Sequence, residues 1–518
     1  MKRLNDFFDE TGRFVFASSV VIMLVAHGFC FMNLMYSHDS LCFYEKGGFD
    51  KVGLGRWLYP FLVQSRLMAT PWVMGALSIL YVSLSVVMVT KLFDFCRIRG
   101  LCVAALFATN IALTCLFCSF IYDADADCLG LLMACLAVFA FKKFPKIFNI
   151  IVPVPALVLC LALYQAYICV AVGLFIALLI RESGKCNSWN DVLSVFLLGV
   201  KELITLILSM VLYIPLMRVA ARCFGVELSN SYNGAGNLSS LTLHDIIEAI
   251  PTTYEYFRDT FLEVSEINTV AVVTVNRLML IILIISVLIY IVAHRKFLGS
   301  LVIVLPCIFV MPLALDAIYL VSFGMIHQLM IFAFCLAYLL PLLLIPTHND
   351  TVFEDHHWNT WFDYARKTVC AVTVLAVLII GFNNIVYANG AYVYKKLVYD
   401  NTALHAQTIW KDINSIDGYR EGETPVVFVG EFNSSRAAYN SPIAKRYYGV
   451  LNGCANSAVT YPNTDRRFFE GILGRKINLY YDGADISEND EVLNMPIYPA
   501  NGYCRMIDDK VVVKLSKQ

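Results

Sequence analysis

Long apolar stretches alternate with short polar segments along the first three quarters of the chain. The stretches 14–36, 101–121 and 368–387 contain no acidic residue and are long enough to cross a hydrocarbon core of roughly 30 Å as helices. The full set is 14–36, 68–90, 101–121, 128–141, 148–163, 165–180, 193–216, 272–293, 298–320, 328–345 and 368–387. The pattern predicts a polytopic α-helical membrane protein with about eleven spans.

The stretch 150–180 decides the number of spans. Its length of about 30 residues exceeds one crossing and is short for two, and Tyr164 and Gln165 are its only polar interruption. We interpret it as two short helices joined by a tight turn. With the amino terminus inside, this choice places the basic loops on the inner side, as the positive-inside rule expects. A single crossing would move the basic pairs at 295–296 and 366–367 outside.

The sequence thus assigns 1–387 to a transmembrane domain whose outer side receives the loops 37–67, 122–127 and 217–271. After 387 the composition becomes that of a soluble protein, and we expect 388–518 to form a small extracytoplasmic α/β domain. Its predicted elements are a helix around Ala403–Ile416 and strands at Pro425–Gly430, Lys476–Tyr481 and Lys510–Lys514. Cys454 and Cys504 would lie in an oxidising compartment, where they could form a disulfide with each other.

Composition agrees with a membrane protein. Of 518 residues, 59% are hydrophobic and 15% are charged, and the mean hydropathy is +0.66, which excludes an ordinary water-soluble globule. The formal net charge of −1 argues against a nucleic-acid partner. The chain has no Walker motif and no GxGxxG after a strand, which argues against a nucleotide-driven pump.

The first outer loop mixes carboxylates with fixed cations. Asp39 follows the first span directly, and Lys46, Arg56 and Arg66 follow within the same loop. A carboxylate there can accept a proton from an acceptor hydroxyl while the cations neutralise a departing phosphate. The alternative is a solvated loop whose charges pair with one another.

Three further carboxylates, Asp123, Asp125 and Asp127, stand close together without a basic neighbour in sequence. In an extended turn alternate side chains share a face, so this group could bind a divalent metal or orient sugar hydroxyls. The alternative is an acidic helix start. His327, at the next outer turn, is a candidate for contacting a phosphate or acceptor. The spacing at Leu243–Phe261 predicts an amphipathic helix lying on the outer surface.

The order of these features resembles a known family. The acidic first loop leading into Gly55–Leu58, the acidic turn Phe120–Asp125, and the stretch Asn389–Ala406 before the soluble domain are similar to the bacterial glucosyl transferase type-II family, the O-antigen serotype-converting glucosyltransferases. The resemblance implies a GT-C-like glycosyltransferase that uses a polyprenyl-phosphate sugar donor. It implies a catalytic acid in the first outer loop, a role that would fall on Asp39, although Glu45 and Asp50 stand in the same loop. Asp123 and Asp125 of the acidic turn are the further catalytic candidates.

We therefore expect a multi-pass protein of the bacterial cytoplasmic membrane that moves a sugar, glucose by the resemblance, from a lipid phosphate to a surface glycan such as O-antigen. Arg56, Arg66, Lys46 and His327 are the expected phosphate ligands. A polysaccharide polymerase or ligase is the stronger alternative. A secondary transporter is less favoured, because the acids concentrate at outer helix ends rather than at mid-membrane.

Overall fold

The computed structural model describes residues 6–37, 40–41, 47–66, 70–145, 147–229, 242–265, 268–321, 326–345, 360–430, 466–480, 486 and 489–516. The chain divides into two compact units. The first comprises 1–28, 47–114 and 123–388, and the second comprises 29–46, 115–122 and 389–518. Asp39 and Lys46 lie outside the described residues.

Helices dominate the described chain. In chain order they are α1 (Glu10–Met32), α2 (Asp50–Gly53), α3 (Tyr59–Arg66), α4 (Pro71–Leu92), α5 (Arg97–Ala108), α6 (Ile111–Ser119), α7 (Ala124–Lys143), α8 (Phe148–Ile151), α9 (Pro153–Leu163), α10 (Ile168–Ser183), α11 (Trp189–Phe224), α12 (Leu243–Leu262), α13 (Val270–Ala293), α14 (Leu301–Leu315), α15 (Ala317–Val321), α16 (Leu340–Leu344), α17 (Thr360–Asn414) and α18 (Asp490–Asn494). Short 3-10 segments lie at Gln165–Tyr167, Gln328–Met330 and Phe332–Leu339.

Eight helical segments of the described residues are long and apolar enough to cross a membrane, with α5 and α6 together counted as one. The chain is therefore a multi-pass membrane protein. The three other predicted spans, 148–163, 298–320 and 328–345, contain shorter apolar helices. Each of these three segments contains proline, which has no amide hydrogen to donate. The prolines occur at the start of α9, inside α14 and at the first turn of α16: Pro153, Pro306, Pro312 and Pro341.

The interpretation of 150–180 as a helical hairpin is confirmed. Helix α9 ends at Leu163, a 3-10 turn covers Gln165–Tyr167, and α10 begins at Ile168. Tyr164 between them is extended, with φ −153° and ψ 107°. Both helices pack against α7, so the turn is held at the end of α7 where the acidic residues lie.

The amphipathic helix predicted at Leu243–Phe261 is confirmed as α12. A capping box between Thr242 and Asp245 fixes its amino terminus. Its aromatic side chains pack on the neighbouring elements, Tyr256 against Tyr319 and Phe257 against Phe334. The helix thus packs on α15 and on the 3-10 segment Phe332–Leu339, and it also contacts α14.

The domain boundary expected at residue 387 lies inside a continuous helix. Helix α17 runs without interruption for 55 residues, from Thr360 to Asn414. An ion pair one turn apart, from Lys396 to Asp400 at 2.5 Å, supports the helix beyond this boundary. The expected boundary therefore coincides with no break in the secondary structure.

The second unit contains a four-stranded sheet with the order β2-β1-β4-β3. Strand β1 is parallel to β2 and β4, whereas β3 and β4 are antiparallel. Both faces of the central strands are covered, Val426 and Val511 on one side and Val427 and Val512 on the other, which explains their continuous apolar runs. The strands are β1 (Pro425–Val429), β2 (Asn478–Leu479), β3 (Cys504–Ile507) and β4 (Lys510–Lys514).

Three of these strands lie where the sequence predicted them, although β2 is shorter, and β3 was missed because its four residues carry no clear alternation. Cys504 in β3 is a free thiol. Cys454 lies outside the described residues. The same unit contains the chain around Tyr36, whose ring stacks on Tyr122 with centroids 5.9 Å apart.

Candidate active site

A cluster of polar side chains lies at the start of α7, within the first unit. The segment Gly47–Arg66, the second half of the first polar loop, folds back over this helix end and over the turn after α9. Backbone bonds hold it there: Leu58 donates to the Ala162 carbonyl at 3.3 Å, and Ser229 donates to the Gly53 carbonyl at 2.9 Å. The first polar loop, the turn after α9 and the loop that contains Ser229 are all predicted to lie outside, and these bonds bring them close together.

Gly55 allows the close approach of this segment. Its φ is +87°, in the region that favours glycine. A Cβ at this position would lie 2.5 Å from the Tyr213 hydroxyl and 2.9 Å from Gln165 Nε2. Any side chain would therefore push the loop away from α11 and from the turn after α9.

Arg56 follows directly and is held from two sides. Its Nε donates to Gln165 Oε1 at 3.3 Å, and its guanidinium carbon lies 4.5 Å from the centre of the Tyr164 ring. Among the described residues, neither terminal nitrogen of Arg56 makes a hydrogen bond or an ion pair. The guanidinium thus presents the edge formed by its two terminal nitrogens to a further partner, which suits the paired oxygens of a phosphate.

Lys51 and Asp123 form an ion pair of 3.0 Å, with side-chain exposures of 13% and 6%. Burial lowers the pKa of Lys51, but the charges of Asp123 and Asp50 outweigh this effect and raise the pKa above its usual value. The second carboxylate oxygen of Asp123, Oδ1, is buried and has no hydrogen-bond partner in the part of the chain that the structure describes. Such an oxygen is costly to bury unless a ligand satisfies it.

Asp127 lies one turn further along α7 and accepts a hydrogen bond from the Tyr59 hydroxyl. Both residues are buried. Burial raises the pKa of Tyr59 well above its usual value, and the neighbouring charges of Asp127 and Asp123 raise it further. Tyr59 therefore acts as a hydrogen-bond donor throughout the physiological pH range.

The three aspartates do not adopt the extended turn that the sequence suggested. Helix α7 begins at Ala124, so Asp123 is its N-cap residue, and Asp125 and Asp127 lie in its first turn. Helical geometry places Asp123 and Asp127 on one face and turns Asp125 away by about 200° from each. Across the described ranges, no group of three His, Cys, Asp or Glu side chains is placed to hold a metal ion. The metal site considered at Asp123, Asp125 and Asp127 therefore has no converging ligand set.

The structure describes the remaining candidate residues less completely. Arg66 is the last residue of α3, and its side chain lies outside the described part, as do Asp39 and Lys46. His327 is exposed and begins the 3-10 turn Gln328–Met330. No hydrogen bond or ion pair among the described residues joins it to Asp123, Asp127 or Arg56.

Sequence reasoning missed four members of the cluster: Lys51, Tyr59, Gln165 and Tyr213. Lys51 stands among other charges of the loop and gives no signal of its own. Gln165 did give a signal, because it is polar inside an apolar stretch, but it was interpreted only as a turn. Tyr213 is one aromatic residue among many in a long apolar helix.

Comparison with known proteins identifies one relationship. The model of a family described as glucosyl transferase GtrII matches residues 28–345. The matched region covers more than half of the 518 residues and contains all of the polar cluster. No curated protein and no solved structure matches the chain.

Proposed function

We propose, because the chain belongs to the glucosyl transferase GtrII family, that it transfers glucose from a polyprenyl-phosphate donor to a surface glycan such as O-antigen. Family membership itself implies glycosyl transfer. The lipid-linked donor, the glycan acceptor and the outer face of the bacterial cytoplasmic membrane are part of the proposal. A donor anchored in the bilayer suits a site on the outer face, where nucleotide sugars are not supplied.

The observation that carries the proposal is that Arg56 and Asp123 belong to one cluster and that each has unused hydrogen-bonding capacity. Arg56 offers the unused edge of its two terminal nitrogens, and Asp123 offers one unused carboxylate oxygen. Binding an anionic phosphate and a hydroxyl-rich sugar would satisfy both groups at once. A cluster that served only to fold the protein would be expected to satisfy them internally.

The proposed reaction is a single displacement with inversion. The acceptor hydroxyl oxygen attacks the anomeric carbon of the sugar on the side opposite the phosphate. The bond from that carbon to the phosphate oxygen breaks, the hydroxyl proton passes to a carboxylate, and polyprenyl phosphate leaves. We assign the proton acceptor to Asp39, with Asp123 and Asp125 as the alternatives, and the stabilisation of the leaving phosphate to Arg56. Arg66, Lys46 and His327 remain proposed phosphate ligands.

The proposed topology has eleven crossings, a cytoplasmic amino terminus and an extracytoplasmic α/β domain at 388–518. Contacts within the first unit support it. The ion pair of Lys51 with Asp123 and the bond of Ser229 to Gly53 favour an arrangement in which the loops 37–67, 122–127 and 217–271 share one membrane face. Four crossings between the last two loops agree with this arrangement, whereas a single crossing through 150–180 would place them on opposite faces.

An assay with isolated components tests the function. The purified protein in lipid nanodiscs would receive labelled polyprenyl-phosphate glucose and lipid-free O-antigen glycan, with UDP-glucose in a parallel reaction. We expect label to reach the glycan from the lipid donor alone, with one polyprenyl phosphate released for each sugar transferred. Transfer from UDP-glucose alone, or joining of glycan chains without added sugar, would overturn the proposal, and the second result would favour the polymerase or ligase alternative.

A further inference from the structure

The polar residues Tyr164 and Gln165, which interrupt the apolar stretch, do more than end α9. A turn between two helices needs no long polar side chain, and a polar group buried within an apolar stretch is costly unless it is paired. Gln165 is paired on both ends of its amide. From these contacts we infer that Gln165, locked by Tyr213, positions the Arg56 guanidinium for a phosphate; the inference rests on the proposed function.

The hydrogen bonds of Gln165 allow one orientation of its amide. The nitrogen Nε2 donates to the Leu54 carbonyl at 2.7 Å and to the Tyr213 hydroxyl at 3.1 Å. The oxygen Oε1 must then face Arg56, whose Nε donates to it. A flipped amide would set N–H against N–H at Arg56 and carbonyl against carbonyl at Leu54.

Tyr213 further fixes the orientation of the Gln165 amide. Its hydroxyl donates to the Gly55 carbonyl at 3.0 Å, which leaves its oxygen to accept from Gln165. The hydroxyl of Tyr213 therefore ties α11 to the loop on one side and to the amide on the other. Each hydrogen in this chain of bonds has one available acceptor, so the network has a single direction.

The consequence falls on the plane of the Arg56 guanidinium. Its Nε edge is used by Gln165 and its face is covered by Tyr164, at 4.5 Å. Only the edge with the two terminal nitrogens is left, and that edge is the one that binds two phosphate oxygens at once. Without Gln165, the guanidinium would be free to turn toward Asp127 and Asp123, two carboxylates whose charges act on it. Gln165 is thus a positioning residue: it acts on the phosphate through Arg56.

A double-mutant cycle measures this role. The probe is polyprenyl phosphate without sugar, and the readout is its dissociation constant for full-length protein in nanodiscs, for wild type, Arg56→Ala, Gln165→Leu and the double variant. We expect each single variant to weaken binding by about 10-fold or more, as loss of a charge-assisted hydrogen bond does. The double variant should be no weaker than Arg56→Ala.

Controls separate positioning from folding. Gln64→Leu makes the same change at an exposed residue of α3 and should leave the dissociation constant unchanged. Tyr213→Phe keeps the ring but releases the amide, and it should weaken binding by a smaller factor that again disappears in the Arg56→Ala background. It provides the same test if Gln165→Leu does not fold.

The outcomes distinguish the two claims. If Arg56→Ala weakens binding and Gln165→Leu does not, the positioning role is wrong and the phosphate site stands. If Gln165→Leu has the same effect with and without Arg56, Gln165 does not act through Arg56. If Arg56→Ala leaves binding unchanged, the proposed phosphate site and the positioning role both fail.

Discussion

The ammonium of Lys51 lies 3.0 Å from the carboxylate of Asp123, and both side chains are almost excluded from solvent. The pair joins the first polar loop to the N-cap residue of α7, two places that are separated in sequence by two apolar spans. It fixes the loop that carries Arg56 against the acidic helix end, so the cations and carboxylates of the cluster share one small region.

Removal of one member of this pair should destabilise the protein. Lys51→Met preserves length but leaves Asp123 buried without its counter-charge. We expect the free energy of unfolding to fall by about 3 kcal/mol or more, the usual cost of breaking a buried pair. The double variant Lys51→Met/Asp123→Asn should recover part of the loss. Thermal unfolding in detergent measures both.

The matched control is Lys185→Met, since Lys185 pairs with Glu182 at 2.8 Å but is 46% exposed. Its effect should stay below about 1 kcal/mol. Equal losses of unfolding free energy from Lys51→Met and Lys185→Met would show that the Lys51–Asp123 pair stabilises the protein no more than an exposed pair does.

Gly55→Ala should damage the site more than a glycine change elsewhere. Gly55 has a φ of +87°, and a Cβ added there would lie 2.5 Å from the Tyr213 hydroxyl, whereas Gly225 has a φ of +64° and open space around it. Gly225→Ala should therefore cost only backbone strain, about 1 kcal/mol, while Gly55→Ala should also weaken polyprenyl-phosphate binding. Identical polyprenyl-phosphate binding by Gly55→Ala and Gly225→Ala would show that close packing at Gly55 is not needed for the phosphate site.

Much of the helical framework could be predicted from the sequence, because apolar length and polar breaks are local signals. The hairpin at 150–180 and helix α12 are examples. The short, proline-containing helix α14 and the continuous helix α17 were harder, since each depends on a balance between local propensity and tertiary packing.

The site was predictable only in part. Arg56 and Asp123 stood out as charges of the outer loops, but the contacts of Lys51 with Asp123 and of Gln165 with Arg56 join residues far apart in the chain. No periodicity encodes such contacts. The helical start at Ala124 also separates Asp125 from its neighbours, which an extended interpretation of the turn could not anticipate.

The proposed topology can be tested with two native cysteines. Cys96 and Cys223 are both exposed thiols, and the eleven-span arrangement places Cys96 inside and Cys223 outside. In variants that retain only one of them, an impermeant maleimide applied to intact cells should label Cys223 and spare Cys96 until the cells are opened. Labelling of Cys96 in intact cells, with Cys223 protected, would invert the topology.

The proposed base can be tested by Asp39→Asn, which preserves shape and removes basicity. We expect turnover to fall by about 10²-fold or more, the usual contribution of general-base catalysis, with donor binding nearly unchanged. Asp123→Asn and Asp125→Asn are the comparison variants. Near-normal transfer by Asp39→Asn together with loss of transfer in Asp123→Asn would assign the base to the start of α7.

The most direct measurement of the central claim is the rate of sugar transfer from polyprenyl-phosphate glucose by Arg56→Lys. Lysine keeps the charge but has no planar edge with two N–H donors, so kcat/KM should fall by about 10-fold or more relative to wild type. Arg222→Lys, at an exposed arginine near the end of α11, should transfer at the wild-type rate. Wild-type kcat/KM in Arg56→Lys and also in Arg56→Ala would contradict the account, because the leaving phosphate would then not be bound by this cluster.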